Sequence, residues 1–115
     1  MKGSNAGLRV LFLDDLPADA ELALRAVRKG GLLVCPRMAE TKEEFVLALR
    51  EFHPQLVLSD YSVPGFHGLE ALELCRQHAP DVPFLFVSGS LGEESAIETL
   101  HHGAADYVLK DRLGK

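Results

Sequence analysis

"PQLVLSDYSVPGFHG", residues 54 to 68, holds the junction that decides the fold. Leu56, Val57 and Leu58 form an apolar run of the kind that fills an interior, and the run stops at Ser59 and Asp60 before Pro64, Gly65 and Gly68 mark a turn. A strand that is apolar on both faces belongs in a sheet covered on both sides, which is characteristic of parallel sheets. Asp60 then stands where a buried strand meets a loop. An aspartate in that place is open to three readings: a loop residue, a helix cap or a reactive group. Its immediate neighbours do not choose among them.

On the amino-terminal side, "LRVLFL" (8–13) is a second apolar run, and it too ends in acids, Asp14 and Asp15. "PADAELALRAVRKGG" follows, with Pro17 at a helix start, apolar Leu22, Ala23, Ala26 and Val27, and Gly30 as the stop. "LLVCPRMAE" (32–40) reads as a weaker strand at a sheet edge, because Pro36 has no N–H for a ladder. Thr41 and Glu44 have the spacing of a capping box, and Phe45, Leu49 and Phe52 repeat at helical spacing behind them. On the carboxyl-terminal side, "GLEALELCRQHA" gives a third helix that ends before Pro80, and "VPFLFVSG" a fourth strand. "EESAIETLHHGA" gives a fourth helix, with Glu93 and Glu94 in its first turn, His101 and His102 in its last and Gly103 as its stop. "ADYVLK" gives a fifth strand. Five strands alternating with four helices predict a doubly wound α/β domain with a five-stranded parallel sheet and helices on both faces.

The remaining features narrow the function classes. A chain of 115 residues fits one domain. Hydrophobic residues at 47% and charged residues at 25% are the ordinary globular balance. A net charge of -5 without a basic stripe leads to the expectation of no direct nucleic-acid contact. Cys35 and Cys75 are far apart, make no CxxC pair and read as small buried hydrophobes, which suits a reducing cytoplasm. The opening "MKGSNAG" reads as a short polar lead over residues 1–7, and no segment approaches the ~20 apolar residues of a membrane span. The expectations are therefore a cytoplasmic protein with no membrane partner.

In open parallel sheets ligands bind outside the carboxyl ends of the strands. The residues found there are Asp14 and Asp15 after the first strand, Asp60 after the third, Ser88 at the end of the fourth and Lys110 at the end of the fifth. If these strands are neighbours, three carboxylates, a hydroxyl and an ammonium converge on one crevice. Each has a bland alternative: the acid pair as a helix cap, Ser88 as a turn hydroxyl, Lys110 as a solvated strand end, Tyr107 as a half-buried strand aromatic. Register among them is what separates the two kinds of reading. His101 and His102 are adjacent, point about 100° apart on a helix and make no metal pair.

With "LFLDD", "LVLSDYSVPG", Gly68 at a helix start, "FVSGS" and "DYVLK" in this order, the sequence from Leu8 to about Arg112 resembles the receiver domain of bacterial two-component response regulators. The resemblance implies a sheet of order 2-1-3-4-5 and a phosphate acceptor at Asp60. It implies a Mg²⁺ ion held by Asp15, Asp60 and the backbone carbonyl of Ser62, with Asp14 on a metal-bound water. By the same resemblance Lys110 and Ser88 would contact the phosphoryl group, Ser88 and Tyr107 would act as switch residues, and the fourth helix and fifth strand would carry the output. The donor would be a sensor histidine kinase or a histidine phosphotransfer domain, the recipient a downstream domain or output protein, and the aspartyl phosphate would later hydrolyse. A pseudo-receiver that never takes phosphate is the alternative, and a Mg²⁺-dependent aspartyl phosphatase a weaker one, since Ser62 stands where such enzymes carry a second Asp.

Four departures from the family pattern accompany the match, the first being Gly89 after Ser88, where a small residue such as Ala is usual. Asp111, not Pro, follows Lys110, so a trans peptide is expected there. His67 occupies a position where the family commonly has Asp or Asn, and no catalytic role is expected of it. The family's fifth helix has room for only one turn before Lys115, so residues 8–115 read as a truncated receiver at the N-terminal end of a longer protein, with a partly bare sheet face that invites homodimerisation.

Overall fold

Alternate residues of the first strand, β1 (Leu8–Leu13), are buried against two different sets of partners. Leu11 and Leu13 pack with Phe45, Leu49 and Leu72, whereas Val10 and Phe12 pack with Ala20, Ala23 and Leu24. Successive strand residues point to opposite faces, so one apolar run serves two cores. The structure, a computed structural model, describes residues 7–88 and 103–109.

Around β1 the described elements are α1 (Pro17–Lys29), β2 (Val34–Ala39), α2 (Lys42–Glu51), β3 (Leu56–Ser59), β4 (Ser62–Val63), β5 (Phe66–His67), α3 (Gly68–His78), β6 (Phe84–Ser88) and β7 (Asp106–Leu109). The five longer strands form one parallel sheet in the order β2-β1-β3-β6-β7, which is 2-1-3-4-5 when the long strands alone are counted. Helices α2 and α3 cover one face and α1 the other, so the doubly wound α/β expectation holds. Leu13 is the register partner of both Ala39 and Ser59, and Ser59 of Phe86, so β1, β2 and β3 end level with one another.

The helix signals act as their chemistry requires. Pro17 opens α1, Arg28 and Lys29 lie in its last turn, and Gly30 is its C-cap. At α2 the Thr41 side chain accepts from the Glu44 N–H at 3.2 Å, while the Glu44 carboxylate accepts from the Glu40 N–H at 2.7 Å, one residue earlier than a strict capping box. Cys75 is buried on α3, and burial pushes its thiol up to about 11. Cys35 departs from expectation: it is only half-buried, because β2 is the edge strand of the sheet. Both cysteines are free.

On the α1 face a hollow of about 370 Å³ is lined by Ala23, Ala26, Val27, Leu56, Leu85 and Val87, among others. This is the opposite face from the core that holds Phe45 and Phe86. The expected fourth helix, the peptide after Lys110 and the truncated fifth helix fall outside the described residues.

Candidate functional site

The ladder bonds of the sheet continue one residue past the strands, and this is what places the acids. Asp60 donates its backbone N–H to the Leu13 carbonyl at 2.7 Å, and Asp14 donates to the Ala39 carbonyl at 3.0 Å. Each aspartate is therefore the first loop residue, pinned by a backbone bond to the neighbouring strand. The Asp14 carboxylate also accepts from the Leu16 N–H at 3.0 Å, which turns the chain toward α1. It is not the helix cap: Leu16 holds that position, with no side-chain cap bond.

Burial then sets this edge apart. Among the described residues the buried polar or charged ones are Asp14, Ser59 and Asp60, at 6%, 0% and 8% exposure, all at the carboxyl ends of β1 and β3. Asp15 joins them half-buried, and one carboxylate oxygen from each of Asp14, Asp15 and Asp60 lies within 4.8 Å of the other two. Two carboxylates about 5 Å apart repel by roughly 3 kcal/mol at an effective dielectric near 20. A trio of this kind asks for a cation, and its all-oxygen donor set fits a hard one such as Mg²⁺. Beside the acids, Phe12, Ala20, Leu58 and Val87 line the small hollow at this edge, together with Asp19.

Beyond Asp60 the chain forms a small element that the sequence reading missed. Ser62 pairs with His67 and Val63 with Phe66 as an antiparallel two-stranded ribbon, closed by Pro64 and Gly65. Gly65 lies at φ 75°, the left-handed value that the third residue of a Pro-Gly turn of type II requires. His67 is the N-cap of α3: its Nδ1 accepts from the Leu69 N–H at 3.0 Å. The Tyr61 ring stands edge-on to both Phe86, at 5.2 Å between centroids, and His67, at 5.3 Å. Gly68 permits this close approach, since a Cβ there would come within 2.8 Å of Tyr61 Cδ1 and 2.9 Å of the Tyr61 carbonyl oxygen. A groove of about 620 Å³ runs along the ribbon, bordered by Tyr61, Pro64, Phe66, His67 and Glu70.

The other expected members are reached to different extents. The backbone of Ser62 lies in β4, immediately after Tyr61. Ser88 ends β6 and is the register partner of Leu109 at the end of β7, and Tyr107 pairs with Phe86. The side chains of Ser62, Ser88 and Tyr107, and all of Lys110, lie outside what the structure describes. Asp14, Asp15 and Asp60 are thus brought together at one place.

Residues 10–113 match the family model described as "Response regulator receiver domain". The phosphate regulon transcriptional regulatory protein PhoB of Klebsiella pneumoniae is 30% identical over 104 residues, covering 89% of this chain and 44% of that protein. The DNA-binding response regulator MtrA of Mycolicibacterium smegmatis is 29% identical, covering 89% of this chain and 43% of that protein. A solved CheY-like receiver domain protein from Methanospirillum hungatei superposes with a TM-score of 0.75 at 26% identity, over 90% of this chain and 81% of that one.

The chain spans less than half the length of these curated relatives. The expectation that nucleic acid is no direct partner is not borne out. A relative is by name a DNA-binding protein, and the net charge of -5 describes only the stretch in hand. No helix of the described residues is long and apolar enough to cross a membrane. Sheet order, acidic strand ends and a family match over nearly the whole length agree: the chain belongs to the response regulator receiver domain family.

Proposed function

We propose that this domain is a phosphoaccepting switch in which Asp60 takes a phosphoryl group from a phosphohistidine. The observation that carries the reading is the burial of Asp14 and Asp60 side by side, with Asp15 against them, at the edge where a parallel sheet binds its ligands. An Asp60 carboxylate oxygen attacks phosphorus. The O–P bond forms as the P–N bond breaks, and the imidazole nitrogen leaves with the electron pair of that bond. Asp15, Asp60 and the Ser62 backbone carbonyl would hold Mg²⁺, with Asp14 on a metal-bound water. When bound, the ion would offset negative charge on the phosphoryl oxygens, where most of the demand of phosphoryl transfer lies.

Lys110 would pair with a phosphoryl oxygen and the Ser88 hydroxyl would donate to another. Tyr107 would turn with the loop after Ser88, so that the fourth helix and β7 present a different face. Water attack on phosphorus would later release phosphate and restore Asp60. The donor would be a sensor histidine kinase or a histidine phosphotransfer domain, and the output a downstream domain or a separate protein, with residues 8–115 forming the receiver after a polar lead of residues 1–7. This chemistry belongs in the cytoplasm, where histidine kinases present their phosphohistidine.

The test is to incubate the protein with Mg²⁺ and a small acyl phosphate and to follow intact mass. One labile phosphoryl adduct is expected with Mg²⁺, little without it, and none in Asp60→Asn. An adduct that survives Asp60→Asn would overturn the assignment.

A further inference from the structure

We infer that His67 is a positioning residue for the metal-binding loop, acting through Tyr61. The inference deepens the reading above, because the loop it positions is the one assigned to Mg²⁺. Tyr61 is the one residue between Asp60, whose N–H is tied to the Leu13 carbonyl at 2.7 Å, and Ser62, whose backbone carbonyl is the second assigned ligand. On the far side of Tyr61 the chain is held by the ribbon, where Ser62 pairs with His67. Between these two ties the Tyr61 ring is wedged. Phe86, 0% exposed and itself 4.9 Å from Phe84, is one jaw, and the His67 ring, 5.3 Å away at an interplanar angle of 69°, is the other. Gly68 closes the space above the ring.

His67 cannot swing away from Tyr61 without cost, because its Nδ1 is engaged with the Leu69 N–H. An Asn or Asp would satisfy that N–H equally well, and both rank above His as helix caps. What they lack is a ring. The imidazole does two things at once: it caps α3 and it braces Tyr61. Mg²⁺ demands near-ideal octahedral geometry, and a ligand displaced by about 0.5 Å is a poor one. A brace on the residue between two ligands, Asp60 and Ser62, therefore acts on metal affinity more than on fold stability.

Two substitutions separate the roles. His67→Asn keeps an acceptor for Leu69 and removes the ring, and His67→Phe keeps a ring and removes the acceptor. Mg²⁺ affinity is measured by calorimetry and the metal-free melting temperature by circular dichroism, with phosphorylation of Asp60 in the unsubstituted protein as the control. In His67→Asn the melting temperature should stay put while Mg²⁺ Kd rises about tenfold, the low end of what outer partners of a metal site usually carry. In His67→Phe the melting temperature should fall while Kd stays within about twofold of the unsubstituted value. Wild-type affinity in His67→Asn, or affinity that falls only in step with melting temperature in both variants, overturns the inference while the control stands. An unsubstituted protein that binds Mg²⁺ with the predicted ranking of variants but takes no phosphoryl group overturns the phosphoacceptor reading and leaves the brace supported. An unsubstituted protein that binds no Mg²⁺ overturns both.

Discussion

The two ends of the β1–β3 pair are built from the same sheet but treat charge in opposite ways. At the amino end Arg9 donates its Nε–H to the His53 carbonyl at 2.8 Å, and its backbone N–H to Gln55 Oε1 at 3.0 Å. Gln55 returns its own N–H to the Arg9 carbonyl at 2.8 Å. Every polar group in that exchange meets a complementary one at the solvent surface. At the carboxyl end the side chains are like-charged, two of the three are nearly fully buried, and their oxygens lie within 4.8 Å. The amino end is finished as it stands. The carboxyl end gathers three like charges in one place, as expected of a site whose partner arrives from outside.

Substitutions should expose this contrast, beginning with the largest effect. Phe86→Ala removes a fully buried ring beneath Tyr61 and should cost roughly 3–5 kcal/mol in urea unfolding. Next comes the charge itself. Mg²⁺ at one hundred times its Kd should stabilise the unsubstituted protein by about 2.7 kcal/mol in the same assay, and this gain should vanish in Asp60→Asn. In metal-free buffer Asp60→Asn should instead be more stable than the parent, by about 1 to 3 kcal/mol, as one repelling charge is gone. A less stable variant would remove the contrast between the two ends.

Arg9→Ala, at the finished end, should cost about 1 kcal/mol or less and leave the Mg²⁺ effect intact. The smallest effect belongs to Lys42, which meets Glu70 on the exposed surface between α2 and α3. Hydrogen bonding to Glu70, and then the Glu70 charge, raises the pKa of this ammonium. A raised folded-state pKa gives a contribution fully present below the unfolded value, which is lost as pH rises through the folded one. Lys42→Met should therefore shift the melting temperature only slightly at neutral pH, and the difference should disappear in high salt and in strongly alkaline buffer.

Much of this was legible in the chain. Apolar runs that end in acids reveal both the two-faced sheet and the residues at its edge, because strand periodicity and the burial of parallel sheets leave a direct imprint on sequence. Pro17, Gly30, and Thr41 with Glu44 mark helix ends by local chemistry, and all of them act at those ends. What was not legible depends on contacts across the fold. The ribbon of Ser62–Val63 with Phe66–His67 is too short to show any periodicity. His67 is not a preferred cap residue, so its role emerges only once Leu69 and Tyr61 are seen around it. Cys35 reads as buried because cysteine usually is, whereas the edge position of β2 leaves it half-open.

The most direct measurement is chemical localisation of the phosphoryl group. After reaction with a small acyl phosphate and Mg²⁺, borohydride reduces an aspartyl phosphate to homoserine, and peptide mass mapping reads the position. Homoserine should appear at residue 60 and nowhere else. Homoserine at position 14 or 15, or a modified protein that yields none, would contradict the role given to Asp60.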